Sequence, residues 1–161
     1  MSRRSRSNIA KRIKEGMYEL HTENVAMLYD NPGILGIEGL DNDTIIYRVR
    51  EPNLFGRSKE HIVDLIFLYK THDYELLVLE NKAGQHTIAK GFSQLHVARA
   101  YLERNWKAWL SSLSEVEFPE SGDLYCTTVL VYYDFYDMKL KMDGKVCRSK
   151  LGRIEKTRTY S

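Results

Sequence analysis

Two stretches decide the reading of this chain: Ile62-Val63-Asp64-Leu65-Ile66-Phe67 and Leu77-Val78-Leu79-Glu80-Asn81-Lys82. Both are dense in branched and aromatic residues, as strands require. Asp64, Glu80 and Lys82 stand in otherwise apolar surroundings, where a charge is costly unless it is paired or bound to a metal. His61–Tyr69 and Tyr74–Asn81 are therefore expected as two strands, joined by the polar turn Lys70-Thr71-His72-Asp73. A hairpin centred on His72 sets Asp64 opposite Glu80 and puts both carboxylates on one face. A slip of one residue sets Asp64 opposite Asn81 and still leaves the carboxylates as neighbours. Lys82 lies two residues past Glu80 and projects to the same face.

Adjacent carboxylates at a half-buried strand end repel each other, and a divalent cation resolves the conflict. Oxygen-rich sites suit Mg²⁺ or Mn²⁺. Asp64 and Glu80 are thus candidate metal ligands, with the backbone carbonyl of Asn81 completing the set. A cation held there polarises a phosphoryl oxygen and lowers the pKa of a bound water. Lys82 would orient that water or stabilise the charge that develops. The plain alternative is an ion pair between Lys82 and one carboxylate at a sheet end.

Outward from the hairpin, helical spacing of Ile9, Ile13, Met17, Leu20, Met27 and Leu28 predicts a helix from Ile9 to Tyr29, with Asn8 as N-cap and Asn31-Pro32-Gly33 as its stop. Ile34–Leu40 and Thr44–Arg50 read as short strands. Phe92, Leu95, Leu102, Trp109 and Leu113 mark an amphipathic helix from Thr87 to about Leu113. Leu124–Tyr133 is apolar enough for a central, buried strand. The helix before it is long enough for a crossover, so this strand is expected parallel to Tyr74–Asn81. The segment after Lys139 is too polar to assign. The organisation expected is a flexible basic arm (1–8), one domain (9–138) and a basic C-terminal tail (139–161). The fold class is α/β, a central mixed β-sheet flanked by helices in the order α-β-β-β-α-β.

The chain of 161 residues is 43% hydrophobic and 29% charged, which excludes a disordered or collagen-like class. No apolar run reaches a membrane span, so no membrane partner is expected. With two cysteines and no CxxC pair there is no thiolate zinc cage, and a reducing, cytoplasmic location is the default. The five histidines show no HxH or HExxH spacing and read as surface or turn residues. No GxxxxGK[ST] or GxGxxG occurs, so no nucleotide cofactor is expected. Charge is uneven: residues 1–14 hold six basic residues and no acid, and 139–161 hold eight basic against two acidic. Such ends suit phosphate contacts, with Arg3, Arg4, Arg6, Lys90 and Arg99 as candidates; a solvated face is the bland reading. Tyr132, Tyr133, Phe135 and Tyr136 suggest base stacking, core or a dimer surface.

Asp64 followed by Glu80-x-Lys82 at the end of a hydrophobic hairpin resembles the PD-(D/E)xK nuclease superfamily, whose fold is restriction-endonuclease-like. Glu23, nine residues ahead of Pro32, is similar to the helix glutamate of NucS- and RecB-like nuclease domains. Arg50-Glu51 and Val63-Asp64-Leu65-Ile66 resemble the same group. Ser93-Gln94-Leu95 is similar to its glutamine motif, although Ala98 stands where the group's tyrosine falls and Tyr101 lies further on. The resemblance implies a metal-dependent nuclease hydrolysing phosphodiester bonds in DNA. Asp64 and Glu80 would hold Mg²⁺ or Mn²⁺, Lys82 would position the nucleophile, Glu23 would assist and Gln94 would contact substrate. A homodimer or a partner subunit would supply specificity. The rival expectations are a non-catalytic nucleic-acid- or protein-binding module on a nuclease-like fold, and an RNA-directed nuclease.

Overall fold

The computed structural model describes residues 3–54, 63–83 and 87–156. Helix α1 spans Arg3–Asp30 and stops where Pro32 restricts Asn31, whose φ of −142° is extended. The helix thus starts well before Ile9: residues 3–8 belong to it instead of forming an arm, and Asn8 lies inside it instead of capping it. Pro32–Leu35 forms a 3-10 turn. The expected strand Ile34–Leu40 is absent because Gly36 (φ 67°) and Gly39 (φ 78°) adopt left-handed conformations that break an extended run.

Among the described residues six strands follow: β1 (Ile45–Arg50), β2 (Leu65–Lys70), β3 (Tyr74–Lys82), β4 (Gly122–Asp134), β5 (Lys139–Met142) and β6 (Cys147–Ile154). Helix α2 (Ile88–Ser111) lies between β3 and β4. The sheet runs β1-β2-β3-β4-β5, and β6 pairs with β4. Among the described residues only β3 and β4 pair in parallel, across the α2 crossover; the other pairings are antiparallel. The architecture is α/β with a mixed sheet.

The thirteen residues of β4 explain the C-terminal segment. The first half of β4 pairs with β6 and its last four residues with β5. Residues 139–154 are therefore mostly sheet, not a tail. Their polarity hides this, because edge strands satisfy their backbones on β4 while their side chains pair across it. Lys141 reaches Asp134 at 2.6 Å, Lys150 reaches Asp123 at 3.4 Å and Arg148 reaches Glu75 at 2.5 Å.

Apolar residues cover both sheet faces. Tyr74, Leu76 and Val78 of β3 meet Leu95, Ala98, Leu102 and Trp106 of α2 on one face. Leu77 and Leu79 join Val25 and Leu28 of α1 on the other. Among the described residues no helix is long and apolar enough to cross a membrane.

Candidate metal centre

The hairpin pairs Leu65 with Leu79, Phe67 with Leu77 and Lys70 with Tyr74, the register centred on His72. The ladder ends at the Leu65–Leu79 pair, and Asp64 breaks its register by one residue, with its carboxylate beside that of Glu80. Asp64 sits in the bend just before β2, not inside the strand. Its amide donates at 3.2 Å to the carbonyl of Leu79, the partner of Leu65, as in a bulge, and its carbonyl accepts from the Glu51 amide at 2.8 Å. Asp64 Oδ2 accepts the Asn81 amide at 2.8 Å and lies 3.2 Å from His21 Nε2. Asp64 is 1% exposed and Glu80 2%.

His21 comes from α1, on the stripe that continues through Val25 and Leu28 onto the sheet. One ligand atom each from His21, Asp64 and Glu80 lies within 4.8 Å of the other two. Glu80 Oε2 is buried with no hydrogen-bond partner. Asn81 is fully buried, and neither polar atom of its side chain has a partner. Gln94 Oε1, on α2, is likewise buried and unpaired.

Burial pushes the Glu80 carboxyl up to about 10, and the hydrogen bond with Asp64 and its negative charge add to that. Burial also works against ionisation of Asp64. There the hydrogen bonds from His21 and Glu80, the His21 charge and the Asn81 amide outweigh it and hold the group at about 2. The hydrogen bond to Asp64 raises His21 above its usual value, against burial. Without a cation, then, the two carboxyls titrate as one coupled pair, in which burial and the neighbouring charge favour protonation of Glu80 over Asp64.

Lys82 is half-buried, and its positive charge opposes the upward shifts of both Glu80 and His21. Its stem runs under α2 at Gly91, where an added Cβ would stand 3.2 Å from Lys82 Cε and 2.4 Å from Leu130 Cδ1. The severe overlap would be with Leu130, while the lysine stem would have to give by a few tenths of an ångström.

The structure thus gathers Asp64, Glu80, Asn81 and Lys82 at one strand end, as the pattern predicts. It does not bring Glu23 there: Glu23 is exposed, two residues from His21 and so on another side of the helix. Lys90 is also exposed. Arg99 is not a surface contact. It is 9% exposed, donates to Thr128 Oγ1 (3.1 Å) and Ser149 Oγ (2.5 Å) and to the Cys147 carbonyl, and so fastens β6 to β4. The backbones of Arg3, Arg4 and Arg6 are helical, and their side chains lie outside the described residues, as do His61 and His86. His21 is the residue that motif reading missed. Its signal was positional: it stands four and seven residues before the buried Val25 and Leu28.

No protein-family model, curated protein or solved structure matches the chain.

Proposed function

We propose that this chain is a metal-dependent phosphodiesterase that cleaves nucleic acid, with DNA favoured, on a restriction-endonuclease-like version of its α/β fold. The observation that carries this reading is the convergence of His21, Asp64 and Glu80 ligand atoms within 4.8 Å of one another. The donor set fits a divalent ion. The unpaired Glu80 Oε2 and the proton retained on Glu80 are what a carboxylate pair shows when no cation balances it. One imidazole with two carboxylates suits Mn²⁺ at least as well as Mg²⁺, since nitrogen ligands favour the softer ion.

A divalent cation bound there supplies a Lewis acid for the phosphoryl oxygen and a water acidic enough to attack at neutral pH. Asp64 and Glu80 provide the negative charge that holds it. Asp64, already anchored by the Asn81 amide, fixes the imidazole of His21. Lys82, with its stem packed under α2, presents an ammonium to the scissile phosphate and stabilises charge that grows as the bond breaks. Gln94 offers an unpaired amide oxygen from the helix above it.

The test is cleavage of labelled single strands, duplexes, flaps, junctions and RNA with Mn²⁺ or Mg²⁺. Cleavage by the wild type that is lost in Lys82→Ala, Glu80→Gln and His21→Ala supports the reading. Nucleic-acid binding without cleavage, equal in wild type and Lys82→Ala, would replace it with a binding module.

A further inference from the structure

The first half of α1 stands apart from the core. Among the described residues, α1 joins the two apolar clusters only through Val25, Leu28 and Tyr29. Ahead of them Ile9 is 44% and Ile13 58% exposed. Ile9, Ile13, Gly16, Leu20, Glu23 and Met27 follow one another at alternating steps of four and three. That spacing keeps them in a strip roughly 80° wide around the helix axis. It is the spacing of the seam in a two-helix coiled coil. A stretch of helix that buries no apolar face is marginal in water.

The charges of α1 also run the wrong way for a helix standing alone. Residues 3–14 hold six basic residues and no acid, whereas 15–30 hold four acids and no lysine or arginine. The first turn has no acidic residue and the last turn no basic one. The helix dipole favours the opposite order, anions first and cations last. Glu15, Glu19 and Glu23 recur every four residues, which stacks like charges one turn apart. All three are exposed, and none forms an ion pair among the described residues. A second α1 lying antiparallel answers each of these faults: it covers the seam, and it lays a basic half along an acidic one.

We infer that α1 is the interface of a homodimer, in which it pairs antiparallel with α1 of a second copy about a two-fold axis. The seam fixes the register. Its two kinds of position alternate across an antiparallel pair, so Ile9 comes level with the partner's Leu20 and Ile13 with the partner's Gly16, each twice by symmetry. That gives Gly16 a purpose. A Cβ added there meets nothing within 4 Å, so no packing inside the described chain calls for a residue that weakens a helix. Opposite an isoleucine, glycine leaves room for the branched side chain. Arg12 and Glu19 lie two turns apart on one flank of the seam. In an antiparallel pair that flank meets itself, which brings Arg12 opposite the partner's Glu19 and Glu19 opposite the partner's Arg12. Glu23 comes level with the partner's Arg6. A parallel pair would instead lay basic half on basic half. A nucleic-acid backbone suits the basic half but neither the apolar seam nor the acidic half. The inference holds whether or not the candidate metal centre is catalytic.

The test is sedimentation equilibrium of the full chain at low salt over a wide range of concentration. The expected result is a reversible monomer–dimer equilibrium that weakens as salt is raised. Ile13→Glu, at an exposed position outside the core, should leave a folded monomer at every concentration, its near-ultraviolet circular dichroism unchanged. Arg12→Glu and Glu19→Arg should each weaken the dimer about tenfold, because each breaks two symmetric pairs and sets like charges in their place. The two exchanges together should restore association to within about threefold of wild type, a rescue that only the antiparallel register allows. A wild type that stays monomeric throughout would overturn the inference. So would a dimer that Ile13→Glu leaves intact, which would lie on another face, or a double exchange that fails to restore association. A monomer whose binding to a short oligonucleotide is lost in Arg12→Glu would also overturn it and assign the basic half of α1 to nucleic acid.

Discussion

Two glutamates on β3 make an instructive pair. Glu75 and Glu80 lie on one strand, five residues apart, and both are buried, at 7% and 2% exposure. Glu75 receives a two-pronged guanidinium: Arg148 Nε donates at 3.2 Å and its terminal nitrogen at 2.5 Å. That guanidinium also stacks over Tyr125, 3.6 Å from the ring centroid. Glu80 faces a second carboxylate, and one of its oxygens has no partner at all. The first arrangement is a finished ion pair that ties β6 to β3 across β4. The second is a carboxyl pair that His21 and Lys82 only partly balance. Burial is similar in both; what differs is whether the chain's own cation bonds the glutamate directly. A buried acid that the fold leaves uncompensated marks a place built for something from outside.

The largest effect should come from exchanging the two acids for glutamine under assay. With Mn²⁺ and a cleavable substrate, Glu80→Gln is expected to lose at least ~100-fold in rate, the scale of removing one charged participant from such a site. Glu75→Gln, corrected for the folded fraction, should stay within about twofold of wild type, since the residue lies five positions down the strand and touches none of the proposed machinery. Equal losses in the two variants would erase the distinction.

Stability should show the reverse order. Glu75→Gln leaves the Arg148 guanidinium with Asp73, at 3.6 Å, as its remaining anion and should cost about 1–2 kcal/mol in a urea melt. That is below the ~3–5 kcal/mol of a fully buried pair because the arginine side chain is 45% exposed. Glu80→Gln in metal-free buffer should cost less than that, because it removes an acid that the fold already keeps neutral.

A pH series sharpens the contrast further. The Glu80 carboxyl is raised from 4.5 to about 10, so above pH 4.5 the folded chain holds a proton that the unfolded chain has released. Metal-free stability therefore falls as pH rises through that window. His21, also raised, contributes stability that is present below its ordinary value and lost above its folded one, in the same direction. Asp64 acts oppositely, but only as pH falls below its ordinary carboxylate range. Glu80→Gln should flatten most of the decline between pH 5 and 9 in thermal melts, and Glu75→Gln should leave its slope in place.

The smallest effects are expected at Glu23 and Lys90, both exposed. Alanine at either should change stability by no more than ~0.5 kcal/mol and leave Mn²⁺ affinity unchanged. A loss of metal affinity in Glu23→Ala would return that residue to the site.

The hairpin was legible because its information is local. A short polar turn around His72 fixes the Leu65–Leu79 to Lys70–Tyr74 register, so counting brings Asp64 to the neighbourhood of Glu80, although Asp64 itself slips by one residue. The parallel β3–β4 pairing was legible from the length of the helix between the strands. His21 was not, because histidine carries no motif here and its role depends on which side of α1 meets the sheet. Extending the buried stripe of Val25 and Leu28 back by one and two turns selects it over Glu23. Strands β5 and β6 were hidden for a different reason. Their side chains are charged because they meet the opposite charges of Asp134, Asp123 and Glu75, not solvent alone. Arg99 was misread because its three acceptors lie on β4 and β6, strands remote in sequence, so its burial left no local trace.

The most direct test of the account is a Mn²⁺ titration of the metal-free chain at neutral pH, by calorimetry in buffers of differing ionisation enthalpy, so that released protons are counted. The expected result is saturable binding of a single ion per chain with about one to two protons released, from the carboxyl pair and from His21, and loss of that binding in Glu80→Gln. Saturable binding that survives Glu80→Gln with the same proton count, or no binding by the wild type, would contradict it.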